Sequence, residues 1–195
     1  GARGLDATQG LLVVLDGAKG CRKAVTTVFG AQAVVQRCQW HKRENVLAYL
    51  PKSQRATWRR KLQAAYQHAT EPEARAALGR VRQELRLVNL SAVASLDEGF
   101  EETLTLHRLG VFPQLGISLK TTNCLESLNS LVEQRVGKVD RWRTSDQKHR
   151  WLAAALLEIE PRLRRIKGYR ALPLLRQALL AEVQRPHGGL VSQAA

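Results

Sequence analysis

Methionine does not occur once in the 195 residues, and cysteine is nearly as scarce, with only Cys21, Cys38 and Cys124. A chain without an initiator methionine reads as numbered from inside a longer frame. Three cysteines, an odd number, exclude a disulfide scaffold and suit a reducing cytoplasm. The longest apolar runs, Leu11 to Leu15 and Leu152 to Leu157, fall far short of the roughly 18 residues of a membrane span. Gly1-Ala2-Arg3-Gly4 offers no apolar signal core, so nothing supports secretion. No G-x-G-x-x-G, P-loop or G-x-S-x-G occurs, so dinucleotide, NTPase and serine-hydrolase readings lack a motif. Acidic residues are also few: 17 against 31 Lys and Arg, a net charge of +14. With 44% hydrophobic and 25% charged residues the chain is globular rather than disordered. Its charge favours a polyanion, because each phosphate neutralised releases counterions.

The chain divides into two kinds of pattern. Leu11 to Leu15, between Gly10 and Asp16-Gly17, is a continuous apolar run that reads as a strand buried on both faces. Val25, Val28 and Phe29 then share a helical face that ends at Gly30, and Ala33-Val34-Val35 is a second short strand. A crossover of about a dozen residues between them suits a parallel β-α-β unit. A helix runs from His41 toward Leu50 and stops at Pro51.

Residues 51–109 have helical periodicity throughout, with Trp58 and Tyr66 as core aromatics. Thr70-Glu71-Pro72-Glu73 is a capping box with proline in the first turn. A further helix opening near Ser91 puts Leu96, Phe100, Leu104 and His107 on one side, and Gly110 to Pro113 break it. Thr122 or Asn123 is the N-cap of another helix. Residues 135–170 then carry eleven Lys and Arg against four acids, a net +7 and half of the chain's excess. Trp142 and Trp151 in that stretch read as core, and the Gly-containing tail from Pro186 reads as frayed.

Three places could carry chemistry. Asp16 sits just past the carboxyl end of a buried strand, where open α/β sheets place their sites, although an Asp there also caps helices. Glu126, in Thr121-Thr122-Asn123-Cys124-Leu125-Glu126, lies in a first helical turn, where the dipole alone favours a carboxylate. Cys38 and His41 form a C-x2-H pair. Two ligands are fewer than the four of a structural zinc site, and His68, His107 and His149 have no matching spacing, so local packing near an active centre is the preferred reading.

Taken in order, Leu12 to Gly20, then Gln36-Arg37-Cys38-Gln39-Trp40-His41-Lys42-Arg43-Glu44-Asn45-Val46-Leu47, a helical stretch, and Thr121 to Asn129 resemble the mutator-type family of insertion-sequence transposases over roughly residues 9 to 180. The resemblance implies an α/β fold that is mostly α by content. A partial RNase H-like core with two remaining parallel strands (1–50) would be interrupted by an all-helical insertion (51–115). The catalytic-Glu helix and basic C-terminal helices (116–185) and a flexible tail (186–195) would follow. It implies DDE chemistry, in which carboxylates hold two Mg2+ (or Mn2+) ions. Asp16 would be the second catalytic Asp and Glu126 the catalytic Glu, both metal ligands, with Cys38, His41 and Asn123 as motif residues near them. Arg141, Arg143, Lys148 and Arg150 would meet DNA phosphates. The family's first Asp belongs to an earlier strand, and Asp6 is the sole acid upstream of Asp16. The reading is therefore the C-terminal portion of a transposase, inert alone and homo-oligomeric on DNA when full length, in the cytoplasm and on the nucleoid when bound. The alternatives are a non-enzymatic DNA-binding remnant or regulator and, more distantly, a basic helical RNA-binding module.

Overall fold

A computed structural model of the chain describes residues 6–139, 141 and 143–185. Trp142 and the tail from Pro186 lie outside the described residues. The chain is mostly helical around a small sheet. The first elements are β1 (Leu11–Leu15), α1 (Lys19–Phe29), β2 (Ala33–Arg37), α2 (Gln39–Ala48), α3 (Lys52–Tyr66) and α4 (Glu71–Arg86). There follow α5 (Leu90–Asp97), α6 (Phe100–Thr103), α7 (Thr105–Arg108), α8 (Phe112–Leu119), α9 (Asn123–Val136), α10 (Ser145–Ile159) and α11 (Leu172–Gln184).

β1 and β2 pair in parallel, Leu11 opposite Ala33 through to Leu15 opposite Arg37, so the β-α-β unit read from the sequence is present. The expectation that Leu11 to Leu15 is buried on both faces is not met. All five residues are half-buried, because among the described residues β2 is the sole strand beside β1. β2 is the better covered strand, and a wholly buried polar side chain fastens its cover. Gln36 accepts from Leu106 N (2.9 Å) and donates to Thr103 O (3.1 Å), while Thr105 Oγ1 donates to Val35 O (2.7 Å). A buried amide costs little only when its donors and acceptors are all met, so this pairing fixes α6 and α7 against the strand.

Two apolar clusters hold the rest. One joins Val46, Leu47 and Leu50 of the α2 region to Trp58, Leu62, Leu78, Leu85 and Leu96 of α3 to α5, with Tyr66 buried beside them. The other gathers Val34, Leu106, Phe112, Leu115, Leu175 and Leu179 from β2, α7, α8 and α11. The capping box opens α4 as read: Thr70 N and Oγ1 both donate to Glu73 Oε2 (3.3 and 2.8 Å). The single helix expected from Ser91 to Leu109 is instead three. Gly99 takes φ +68, a left-handed conformation that glycine adopts without strain, and it divides α5 from α6. Gly110 to Pro113 do end α7, but Pro113 also sits in the first turn of α8, a helix the sequence reading missed. Trp151 is 45% exposed, not core, because α10 buries little beyond Ala155 and Ile159.

His107 stacks on Phe112 (ring centroids 3.6 Å apart) with Nε2 3.1 Å from His68 O. Burial holds its pKa below the ordinary histidine range. The unfolded ring, at about 6.5, therefore takes up a proton before the folded one does. Stability is full above that value and declines as pH falls through the folded pKa. Thermal melts between about pH 7.5 and 5 should show the decline, and His107→Gln should flatten it over that window.

Candidate active site

The carboxyl end of the sheet gathers the motif residues. Asp16 is the first residue past β1 and is exposed. Its Oδ1 accepts from Ala18 N (2.9 Å), which closes the turn into α1. Ala18, not Asp16, is the residue that precedes the helix. The turn is tight because Gly17 takes φ +109 with its Cα pressed on the Arg37 guanidinium; a Cβ there would lie 1.9 Å from Arg37 Cζ. Arg37, paired in register with Leu15, thus forms the floor beneath the Asp16 turn.

Glu126 reaches the same edge through a side-chain knot. Cys38 N donates to Leu15 O (2.7 Å), continuing the ladder one residue past β2 and placing Cys38 beside Asp16 in the chain path. His41 Nδ1 lies 3.2 Å from Cys38 Sγ and 3.4 Å from Thr122 Oγ1. Thr122 precedes α9 but does not cap it. Its hydroxyl donates to Glu126 Oε1 (2.6 Å), and His41 Nε2 stands 3.9 Å from the same oxygen. Gln39 N donates to Lys120 O (2.9 Å), tying the start of α2 to the segment that leads into α9. The sequence reading brought Cys38, His41 and Glu126 together but missed Thr122 as the group that orients the carboxylate. The i to i+4 spacing of Thr and Glu across a helix start was the available signal. Asn123, the first residue of α9, is exposed.

Asp16 and Glu126 are hard oxygen donors of the kind Mg2+ takes, one or two carboxylates with retained waters. Glu126 spends Oε1 on the Thr122 hydroxyl, with His41 Nε2 3.9 Å away, and is half exposed. Among the described residues no three His, Cys, Asp or Glu side chains form a group that could hold a metal ion. The described donors give no four-ligand zinc centre. Asp6 is spent locally, accepting from Thr8 N and Oγ1 (2.9 and 2.7 Å).

Arg141, Arg143, Lys148 and Arg150 are exposed around the start of α10. Thr144 caps that helix by accepting from Gln147 N (3.1 Å). Arg150 pairs with Asp146 (3.3 Å) with both side chains three-quarters exposed, a contact of little worth in water that a phosphate can replace.

Comparison with known proteins matches the family described as Transposase, Mutator family, over residues 1–162. The transposase for insertion sequence element IS256 in transposon Tn4001 of Staphylococcus aureus is 28% identical over 159 residues, 80% of this chain and 39% of that protein. The transposase for insertion sequence element IS6120 of Mycolicibacterium smegmatis is 32% identical over 128 residues, 66% of this chain and 39% of that protein. The transposase for insertion sequence element IST2 of Acidithiobacillus ferrooxidans is 33% identical over 135 residues, 69% of this chain and 44% of that protein. The chain spans about two fifths of the length of these curated relatives.

Proposed function

The chain belongs to the Mutator family of transposases, and on that premise we propose that its sheet edge is the carboxylate-bearing part of a site that cuts and rejoins DNA for an insertion sequence. The observation that carries this is the bond from Cys38 N to Leu15 O. It joins the strand end bearing Asp16 to the knot that holds Glu126, two residues 110 positions apart in the chain. In this reading β1, α1 and β2 are part of an RNase H-like core, and α3 to α7 are its helical insertion.

Mg2+ or Mn2+, held by Asp16 and Glu126, would activate the attacking oxygen and steady the leaving one. The chain's own residues prepare for this. The Ala18 amide fixes one oxygen of Asp16, and the Thr122 hydroxyl fixes one of Glu126. Arg141, Arg143, Lys148 and Arg150 hold the phosphate backbone in register. DNA is the partner, and full-length protomers would assemble on paired element ends. No helix among the described residues is long and apolar enough to cross a membrane.

A second reading, DNA binding without cleavage, is favoured for the 195-residue polypeptide by one feature: its described residues form no group of three or more His, Cys, Asp or Glu side chains that could hold a metal ion. The test is a nicking assay on supercoiled plasmid with Mg2+ or Mn2+. The polypeptide should bind DNA and leave it uncut. Metal-dependent nicking that Glu126→Gln abolishes would establish the catalytic reading for this polypeptide and reject the second.

A further inference from the structure

A cavity of about 190 Å³ opens one residue away from the His41 knot. Its aromatic residues are the buried Tyr66 and Trp40, which keeps 42% of its surface exposed and stands edge-on to His41, ring centroids 4.8 Å apart at 87°. Its polar wall carries the side-chain amides of Gln63, Gln67 and Asn123, and its cations are Arg43 and Lys120. No carboxylate among the described residues lines it.

The charge there is unbalanced. Arg43 bonds Glu44 (3.0 Å), but Glu44 also holds Arg59 (2.9 Å), so one carboxylate serves two guanidiniums. Lys120 makes no salt bridge among the described residues; its ammonium lies 5.7 Å over the Phe112 ring. Burial and the nearby Arg43 both push its pKa down. Lys120, a cation kept near Arg43 with no salt bridge of its own among the described residues, marks a place for an anion. An exposed indole beside the amides of Gln67 and Asn123, which both donate and accept, marks a place for a flat heterocycle. Asn123 stands three residues before Glu126 on α9, so an occupant would lie beside the carboxylate edge.

Resting on the DNA-acting reading above, we propose that this cavity receives a single unstacked nucleotide of the substrate strand. Its base would stack on Trp40 and bond to the amides, and its phosphate would be held by Lys120 and Arg43. Extrusion of a base costs least where it is already unpaired. Occupancy therefore appears as a preference for DNA that carries an unpaired nucleotide.

The test compares binding of the full chain, by fluorescence anisotropy, to a perfect duplex and to the same duplex with one unpaired nucleotide. The unpaired form should bind roughly tenfold tighter or more, the worth of one base-aromatic stack. Trp40→Ala should erase that preference and leave affinity for the perfect duplex unchanged, and Trp40→Phe should keep most of it. Trp40 is exposed enough for both variants to fold, which their melting temperatures check. Equal binding of the two duplexes, or a preference that survives Trp40→Ala, overturns the pocket alone. Failure to bind either duplex at low salt overturns the DNA-acting reading with it. Free dAMP as competitor separates the sources. Erasing the preference at micromolar concentration would assign the cavity to a free nucleotide and overturn the strand assignment, and no competition supports it.

Discussion

Replacing Arg141, Arg143, Lys148 and Arg150 together by Gln should lower the affinity for duplex DNA by roughly a thousandfold near 0.1 M salt. The magnitude follows from counterion release. Each neutralised phosphate adds about 0.9 to the slope of log affinity against log salt, so four contacts account for a slope of about 3.6. All four side chains are exposed, and the single ion pair given up among the described residues, Arg150 with Asp146, is worth under about 1 kcal/mol. The variant should therefore melt at nearly the wild-type temperature. Anisotropy titrations across a salt series separate two outcomes. A slope reduced by 3 to 4 places these residues on phosphates. An unchanged slope sends the binding face elsewhere on a chain whose net charge is +14.

The second large effect concerns stability. Lys42 is 1% exposed and donates to Ser95 O (2.7 Å), to Glu98 O and to Glu98 Oε2 (2.5 Å). Arg37, also buried, forks onto the two Glu98 oxygens at 3.2 Å each. A single carboxylate therefore compensates two buried cations. Glu98→Ala should cost about 2–4 kcal/mol, because it leaves both cations desolvated and unpaired. The lower part of that range is favoured, since Lys42 keeps its carbonyl partners and Glu98 is itself half exposed. Lys42→Met should cost far less and should recover part of the loss in the Glu98→Ala background. Chemical denaturation of the three variants measures this. Lys42 holds the Glu98 carboxyl below its ordinary range, with burial opposing. Its stabilisation is thus complete above the unfolded value of about 4.3 and is lost as pH falls through the folded one. Wild type should lose stability below about pH 4.5 more steeply than Glu98→Ala.

Local signals in the sequence carried the fold where they were strong. The branched run Leu11 to Leu15 and the short Ala33-Val34-Val35 gave the parallel pair, and Thr70 with Glu73 marked the start of α4. What escaped depended on tertiary contacts. Arg37 and Lys42 look like surface cations, and Gln36 like a strand polar residue, until the segment from Ser95 to Leu106 folds over β2 and supplies Glu98, Thr103 O and the Leu106 amide. Gly99 inside an apolar periodicity was the visible hint that the helix breaks there. Pro113 read as a stop, although proline in a first turn equally begins a helix. At the candidate site, the order of Asp16, Cys38, His41 and Glu126 was legible from motifs. The hydroxyl of Thr122 was not, because its competing role as a helix cap was the commoner expectation.

We propose that Asp16 and Glu126 serve one divalent cation at the sheet edge, and Mn2+ binding followed by electron paramagnetic resonance tests it without requiring DNA cleavage. The account predicts a bound Mn2+ signal that Asp16→Asn and Glu126→Gln each weaken at least tenfold, in line with the loss of one of two carboxylate ligands. Mn2+ binding that both variants retain at wild-type strength would contradict it.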